Sequence, residues 1–166
     1  RLEVYSEPGH GSTFKIYVPL ATDAVDAVAA ESTGVLAVDV EGDGTVLLVE
    51  DHEPVRALAT RALTRRGFQV MACGSGEEAL YLLASFTGTL DVLVTDVVLP
   101  GMNGRTLAEQ VHAMHPATRV LFTSGYTANV IVHHGVLYDG VRFLQKPYSL
   151  ADLCGRVREA IDAGRA

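Results

Sequence analysis

Val46-Leu47-Leu48-Val49 is a short, unbroken apolar run, and a run of that length without polar alternation suits a strand covered on both faces, as in a parallel sheet. The next segment has a different period. Val55, Leu58, Ala59, Ala62 and Leu63 recur at helical spacing, Pro54 fits a first helical turn, and Arg65-Arg66-Gly67 closes the segment. The alternation then repeats. Strands are predicted at Phe68–Cys73, Asp91–Asp96, Arg119–Ser124 and Val141–Gln145. Helices are predicted at Glu77–Ser85, introduced by the capping-box spacing of Ser75 and Glu78, and at Gly104–Met114, with Leu107, Val111 and Met114 on one face. Thr127–His134 makes a poor helix, because Val130-Ile131-Val132 is β-branched. A last helix starts at Ser149, three residues before Asp152, and turns Leu150, Leu153, Val157 and Ile161 inward. Five strands alternating with five helices imply an α/β fold, a doubly wound five-stranded parallel sheet with helices on both faces and right-handed crossovers.

The remaining residues differ in composition. At 166 residues there is room for one domain and about forty residues besides. An apolar share of 48% excludes a wholly disordered chain. The net charge of −7 is localised: residues 21–44 hold Asp23, Asp26, Glu31, Asp39, Glu41 and Asp43 and no basic residue, and the rest is nearly balanced. That stretch reads as an acidic linker. No basic footprint for nucleic acid is present. Cys73 and Cys154 form neither a CxxC nor a disulfide framework, which favours a reducing, cytoplasmic setting. No apolar run reaches the length of a membrane span, so no membrane contact is expected of this chain. The start at Arg1-Leu2-Glu3, without Met, reads as an internal piece of a larger protein, and the end at Ala166 leads to the expectation that no DNA-binding output domain comes after it.

In a doubly wound sheet, function gathers at the carboxyl ends of the strands. Glu50-Asp51 ends the first strand, Asp96 the third and Ser124-Gly125 the fourth, while the fifth runs into Lys146-Pro147. Three carboxylates, a hydroxyl and one lysine would meet on one rim. Such a cluster needs a cation to offset it, and oxygen donors in that number suit Mg2+.

With these residues in view, 45–163 resemble a response-regulator receiver domain of the CheY-like kind. Glu50-Asp51 is similar to the acidic pair. Asp96, in Val-Thr-Asp-Val-Val-Leu-Pro-Gly-Met-Asn-Gly, is similar to the phospho-acceptor with its proline-glycine turn. Ser124 resembles the switch hydroxyl, Phe143 the switch aromatic, and Lys146-Pro147 the Lys-Pro pair, which in that family commonly has a cis peptide. The resemblance implies a flavodoxin-like sheet of order 2-1-3-4-5. It also implies transfer of a phosphoryl group from a phosphohistidine to Asp96, with Lys146 contacting the phosphoryl oxygens and Ser124 sensing them. Mg2+ would be held by Asp51, Asp96 and the carbonyl of Val98, with Glu50 acting through metal-bound water. The implied partners are a histidine kinase or a histidine phosphotransfer domain, with self-association left open. Phe143 lacks the hydroxyl of the tyrosine found in many relatives, and Glu50 stands where Asp is usual.

Two other classes compete. An aspartyl-phosphate hydrolase of the haloacid-dehalogenase type wants a second Asp two residues after the nucleophile, and Val98 stands there. A module that merely binds metal or phosphate would be expected to carry a phosphate loop, and Gly74-Ser75-Gly76 reads instead as a turn into a helix. His52, the His112/His115 pair and His133-His134 read as surface histidines.

Residues 1–20 carry a second resemblance. Leu2 to Pro19, with Gly9-x-Gly11-x-x-Phe14 and the alternation Phe14, Ile16, Val18, is similar to the end of a sensor histidine kinase ATPase domain, where two strands form a terminal hairpin. The implied layout is a hairpin remnant over 1–20, a linker over 21–44 and a receiver over 45–166, from a hybrid histidine kinase. The chain lacks the rest of a nucleotide site and a donor histidine, so neither ATP binding nor stand-alone kinase activity is expected. A lone hairpin is marginal in water, so 1–20 is expected to order by pairing with another chain at crystal concentrations and to be disordered in dilute solution.

Overall fold

The computed structural model describes residues 2–7, 9, 11–17, 42–125 and 142–165. The chain divides into two compact units, Arg1–Asp39 and Val40–Ala166. In the first, β1 (Leu2–Glu7) pairs antiparallel with β2 (Gly11–Ile16), in a register that sets Val4 opposite Phe14 and Glu3 opposite Lys15. Gly9 and Gly11 take positive φ in the connection, where a side chain would be strained. Val4 and Phe14 share one face of the ribbon and are both exposed.

The second unit contains β3 (Thr45–Val49), α1 (Glu53–Arg65), β4 (Gln69–Cys73), α2 (Gly76–Ala84), β5 (Val92–Asp96), α3 (Gly104–Met114), β6 (Arg119–Ser124), β7 (Arg142–Gln145) and α4 (Leu150–Arg165). All four pairings are parallel, and the order is β4-β3-β5-β6-β7, the flavodoxin-like arrangement. Side chains alternate across the central strands. Leu47, Val49 and Leu93 enter a core with Leu83 of α2 and Leu107 and Val111 of α3. Val46, Leu48, Val92 and Val94 enter the other core, with Leu63 of α1 and Val157 and Ile161 of α4. At β3 and β5 both faces of the sheet are therefore dry, which explains why these strands are so rich in consecutive apolar residues. The helix expected at Thr127–His134 lies outside the described residues.

Helix starts carry their own caps. Ser75 Oγ accepts from the Glu78 amide at 3.2 Å, and the Glu78 carboxylate accepts from the amide of Gly74, one residue earlier than the reciprocal box requires. At α4 the box is complete: Ser149 Oγ accepts from the Asp152 amide, and Asp152 accepts from the Ser149 amide and hydroxyl. Asn103 caps α3 through the Thr106 amide. Three residues assigned inward by periodicity are exposed at the margins of their helix faces: Leu58 (53%), Met114 (44%) and Leu150 (37%). Leu58 lies well round the helix from the Ala59 and Leu63 positions that meet the sheet, and Leu150 stands at the first residue of α4.

Residues 42–44 are packed. The Gly42 amide donates to the Arg66 carbonyl at 2.7 Å, and a Cβ on Gly42 would come within 2.5 Å of that oxygen and 2.9 Å of the Phe68 ring. Asp43 accepts from Arg165 at 2.8 Å, which holds its carboxyl below the usual range. Gly42→Ala is accordingly expected to lower the unfolding free energy by about 1–3 kcal/mol, as overpacking does, read in urea. A solvated linker position would show no change.

Candidate phospho-acceptor site

The first, third and fifth strands of the parallel sheet deliver their carboxyl ends to one rim. Glu50 follows β3 and is almost wholly buried (4% exposed), Asp51 beside it is exposed, and Asp96 closes β5. One carboxylate oxygen from each lies within 4.8 Å of the others, and this is the one such acidic group among the described residues. Lys146, just past β7, reaches into it. Its Nζ donates to Glu50 Oε2 at 2.6 Å and to Asp96 Oδ2 at 2.9 Å. Burial alone would lower the ammonium pKa, but the two hydrogen bonds and their charges outweigh it, and the group is held above its ordinary value.

The Asp96 carboxylate is gripped from both sides. Oδ2 takes Lys146, and Oδ1 accepts from the Val98 amide at 3.3 Å. The Val98 side chain itself points to solvent. Ser124 ends β6, the neighbour of β5, and is buried; its carbonyl accepts from the Lys146 amide at 2.8 Å. The Lys146–Pro147 peptide is cis. Phe143, paired across from Phe122, packs against the core beneath α2 and α3. Glu50, Asp51, Asp96 and Lys146 thus meet directly, while Ser124 and Val98 border them and Phe143 lies in the sheet behind. Three carboxylates and one ammonium leave two negative charges among hard oxygen donors at a partly open rim, a donor set that fits Mg2+.

Among the described residues, no histidine side chain or cysteine thiol bonds to this cluster, although the His52 amide donates to Glu50 Oε1 at 3.4 Å. His52 is exposed at the start of α1, and His115 ends α3 with its ring 6.0 Å from that of Phe86. Burial, first, and the nearby Glu78 push the Cys73 thiol up to about 11, too high for a nucleophile.

Two contributors carry no assigned role in the motif: Gly104 closes the stretch around Asp96, and Arg56 lies outside it. Gly104 starts α3 with its amide bonded to the Val97 carbonyl at 3.0 Å, and a Cβ there would fall on the carbonyl oxygen of Asp96. The signal was present, since Gly is a poor helix residue and stands directly after the Asn103 cap. Arg56 bonds the backbone behind the acidic pair, and nothing in its helical position announces that.

A doubly wound sheet with an acidic triad and a lysine at its carboxyl rim defines a domain of the phospho-acceptor class. Comparisons with known proteins agree. Residues 46–158 match the response regulator receiver domain family, and the chain belongs to it, as a receiver domain of a two-component system. The sensor kinase CckA of Brucella abortus is 38% identical over 162 residues, covering 95% of this chain and 17% of the relative. The transcriptional regulator NtrC of Azospirillum brasilense is 27% identical over 119 residues, covering 72% of this chain and 24% of its own length. The crystal structure of the receiver domain from the hybrid histidine kinase CckA aligns with a TM-score of 0.61 at 36% identity, over 71% of this chain and 99% of that one. A response regulator receiver protein from Sinorhizobium medicae aligns with a TM-score of 0.65 at 27% identity, over 74% and 97%. The chain thus spans a minor part of these curated relatives.

Gly104→Ala is expected to cost about 1–3 kcal/mol, because the relief must come from backbone and not from a flexible side chain. The displaced Asp96 should show as amide chemical-shift changes at residues 96–98, greater than those at β4.

Proposed function

We propose that Asp96 is the phospho-acceptor, taking a phosphoryl group from a phosphohistidine of a histidine kinase or histidine phosphotransfer domain. The observation that carries this reading is the placement of Lys146 Nζ on Asp96 Oδ2, which sets a fixed positive charge where phosphoryl oxygens arrive. In the transfer, the P–N bond to the donor imidazole breaks as an Asp96 oxygen bonds phosphorus. The imidazole leaves with the bonding pair and is neutral once protonated, and an acyl phosphate remains on Asp96. Phosphoryl transfer asks for positioning and charge neutralisation above all. Asp51, Asp96 and the Val98 carbonyl would hold Mg2+, which supplies further positive charge for the phosphoryl oxygens. Glu50, bonded to Lys146, steadies the ammonium. The hydroxyl of Ser124 moves to donate to a phosphoryl oxygen and so reports its presence, and Phe143 rotates into the space it vacates.

The wider setting belongs to the same proposal. The chain comes from a hybrid histidine kinase, with 1–20 the tail of its ATPase domain, 21–44 a linker whose last residues, 42–44, pack on the domain after it, and 45–166 the receiver, working on the cytoplasmic side. The similarity to CckA of Brucella abortus supports this, because it extends over 95% of the chain and so beyond the receiver.

Exposure to acetyl phosphate with Mg2+, followed by intact mass, should give a single hydroxylamine-labile phosphate adduct. Asp96→Asn should abolish it while the fold survives, since the amide is no nucleophile and the position is on the rim; an undiminished adduct in the variant would sink the assignment. Lys146→Ala should bind Mg2+ as tightly as the native chain or more so, a competing cation having gone, yet form the adduct more slowly. Titration calorimetry and adduct kinetics read the two effects separately.

A further inference from the structure

The acidic pair is held from behind as well as from within the site. Arg56, in the first turns of α1, donates Nη1 to the carbonyl oxygen of Glu50 at 2.7 Å and to that of Asp51 at 3.3 Å. The paired register of β3 with its neighbours ends at Val49, and beyond it the Glu50 amide still donates to the Cys73 carbonyl. The guanidinium approaches across Gly74: a Cβ there would lie 3.2 Å from Nη1, so the glycine leaves room for it. Glu78 stands on the other side of the same glycine and binds its amide at 2.6 Å. Among the described residues Arg56 makes no ion pair with a carboxylate, so its strongest bonds go to backbone.

We propose that Arg56 is a positioning residue for the metal-binding pair. The two carbonyls it bonds belong to the peptide planes on either side of the Asp51 α-carbon. Pinning both planes fixes the backbone dihedrals of Asp51 and hence the direction in which its carboxylate leaves the chain. Partners of this kind, which touch a ligand's own support and not the ion, commonly set metal affinity. The inference rests on reading Glu50, Asp51 and Asp96 as the Mg2+ cluster.

Charge and positioning predict opposite signs. A guanidinium near a divalent cation repels it, so if charge were its whole effect, removing Arg56 would tighten Mg2+ binding. If Arg56 aims Asp51, removal weakens it. Arg61 supplies the control, since it lines the same open groove of α1 as Arg56, with Glu53, Thr60 and Thr64, and has no bond to the acidic pair.

The test is Mg2+ titration calorimetry on the full chain for Arg56→Met, Arg56→Lys and Arg61→Met, with urea unfolding in the absence of metal beside it. Arg56→Met should bind Mg2+ about tenfold more weakly. Arg56→Lys, able to bond one carbonyl, should recover part of the loss, and Arg61→Met should match the native chain. Binding by folded Arg56→Met as tight as native, or tighter, overturns the proposal, and so does an equal loss in Arg61→Met. Should Arg56→Met fail to fold, Arg56→Lys decides: native affinity overturns the role, and a loss with unchanged unfolding supports it. Absence of Mg2+ binding in the native chain itself would defeat the cluster reading, and this inference with it.

Discussion

The Lys146 ammonium, shared by Glu50 and Asp96, is the interaction around which this site is organised. It joins residues 96 and 50 positions apart in the chain, and it does so at the ends of three strands of one sheet. Without it, Glu50 would be a buried carboxylate beside two others, an arrangement that raises the energy of every charged form present. With it, the cluster keeps two negative charges and a defined geometry. The lysine therefore has two effects that oppose each other: it offsets the charge of the clustered carboxylates, and it competes with any other cation for them.

Close backbone approach does the rest. Gly104 lets the start of α3 lie against the carbonyl of Asp96, and Gly74 lets a guanidinium pass to the carbonyls of Glu50 and Asp51. The Asp96 loop and the acidic turn are thus each backed by a helix, α3 for one and α1 for the other. Backbone contacts hold the turns that carry these carboxylates, and a preorganised backbone favours charge stabilisation without reorganisation.

The packed unit also reaches back before its first strand. Gly42 and Gly44 sit against Phe68, Arg66 and Ile161, and Asp43 bonds Arg165 at the end of α4. A feature that composition marks as linker, an acidic stretch with glycines, thereby contributes contacts to the core at its carboxyl end. Composition reports charge and flexibility averaged over a window. It does not distinguish a glycine that loosens a chain from one that allows a close contact.

Much was legible in the sequence, for a definite reason. Runs such as Val46–Val49 and the helical spacing of Ala59 with Leu63 are local, and burial on both sheet faces leaves an unmistakable trace in them. Strand ends could be placed from the runs, so Glu50, Asp51, Asp96, Ser124 and Lys146 could be assigned to one rim before any contact was known. Only the tertiary structure decided how they meet: which carboxylate oxygen Lys146 bonds, that Glu50 is buried while Asp51 beside it is exposed, and that Leu58 and Leu150 fall outside the core their spacing suggested. The support from Arg56 and Gly104 belongs to the same group. Each acts on backbone atoms through a contact formed only when helix and strand pack, and such a contact leaves no periodicity in the chain to be read.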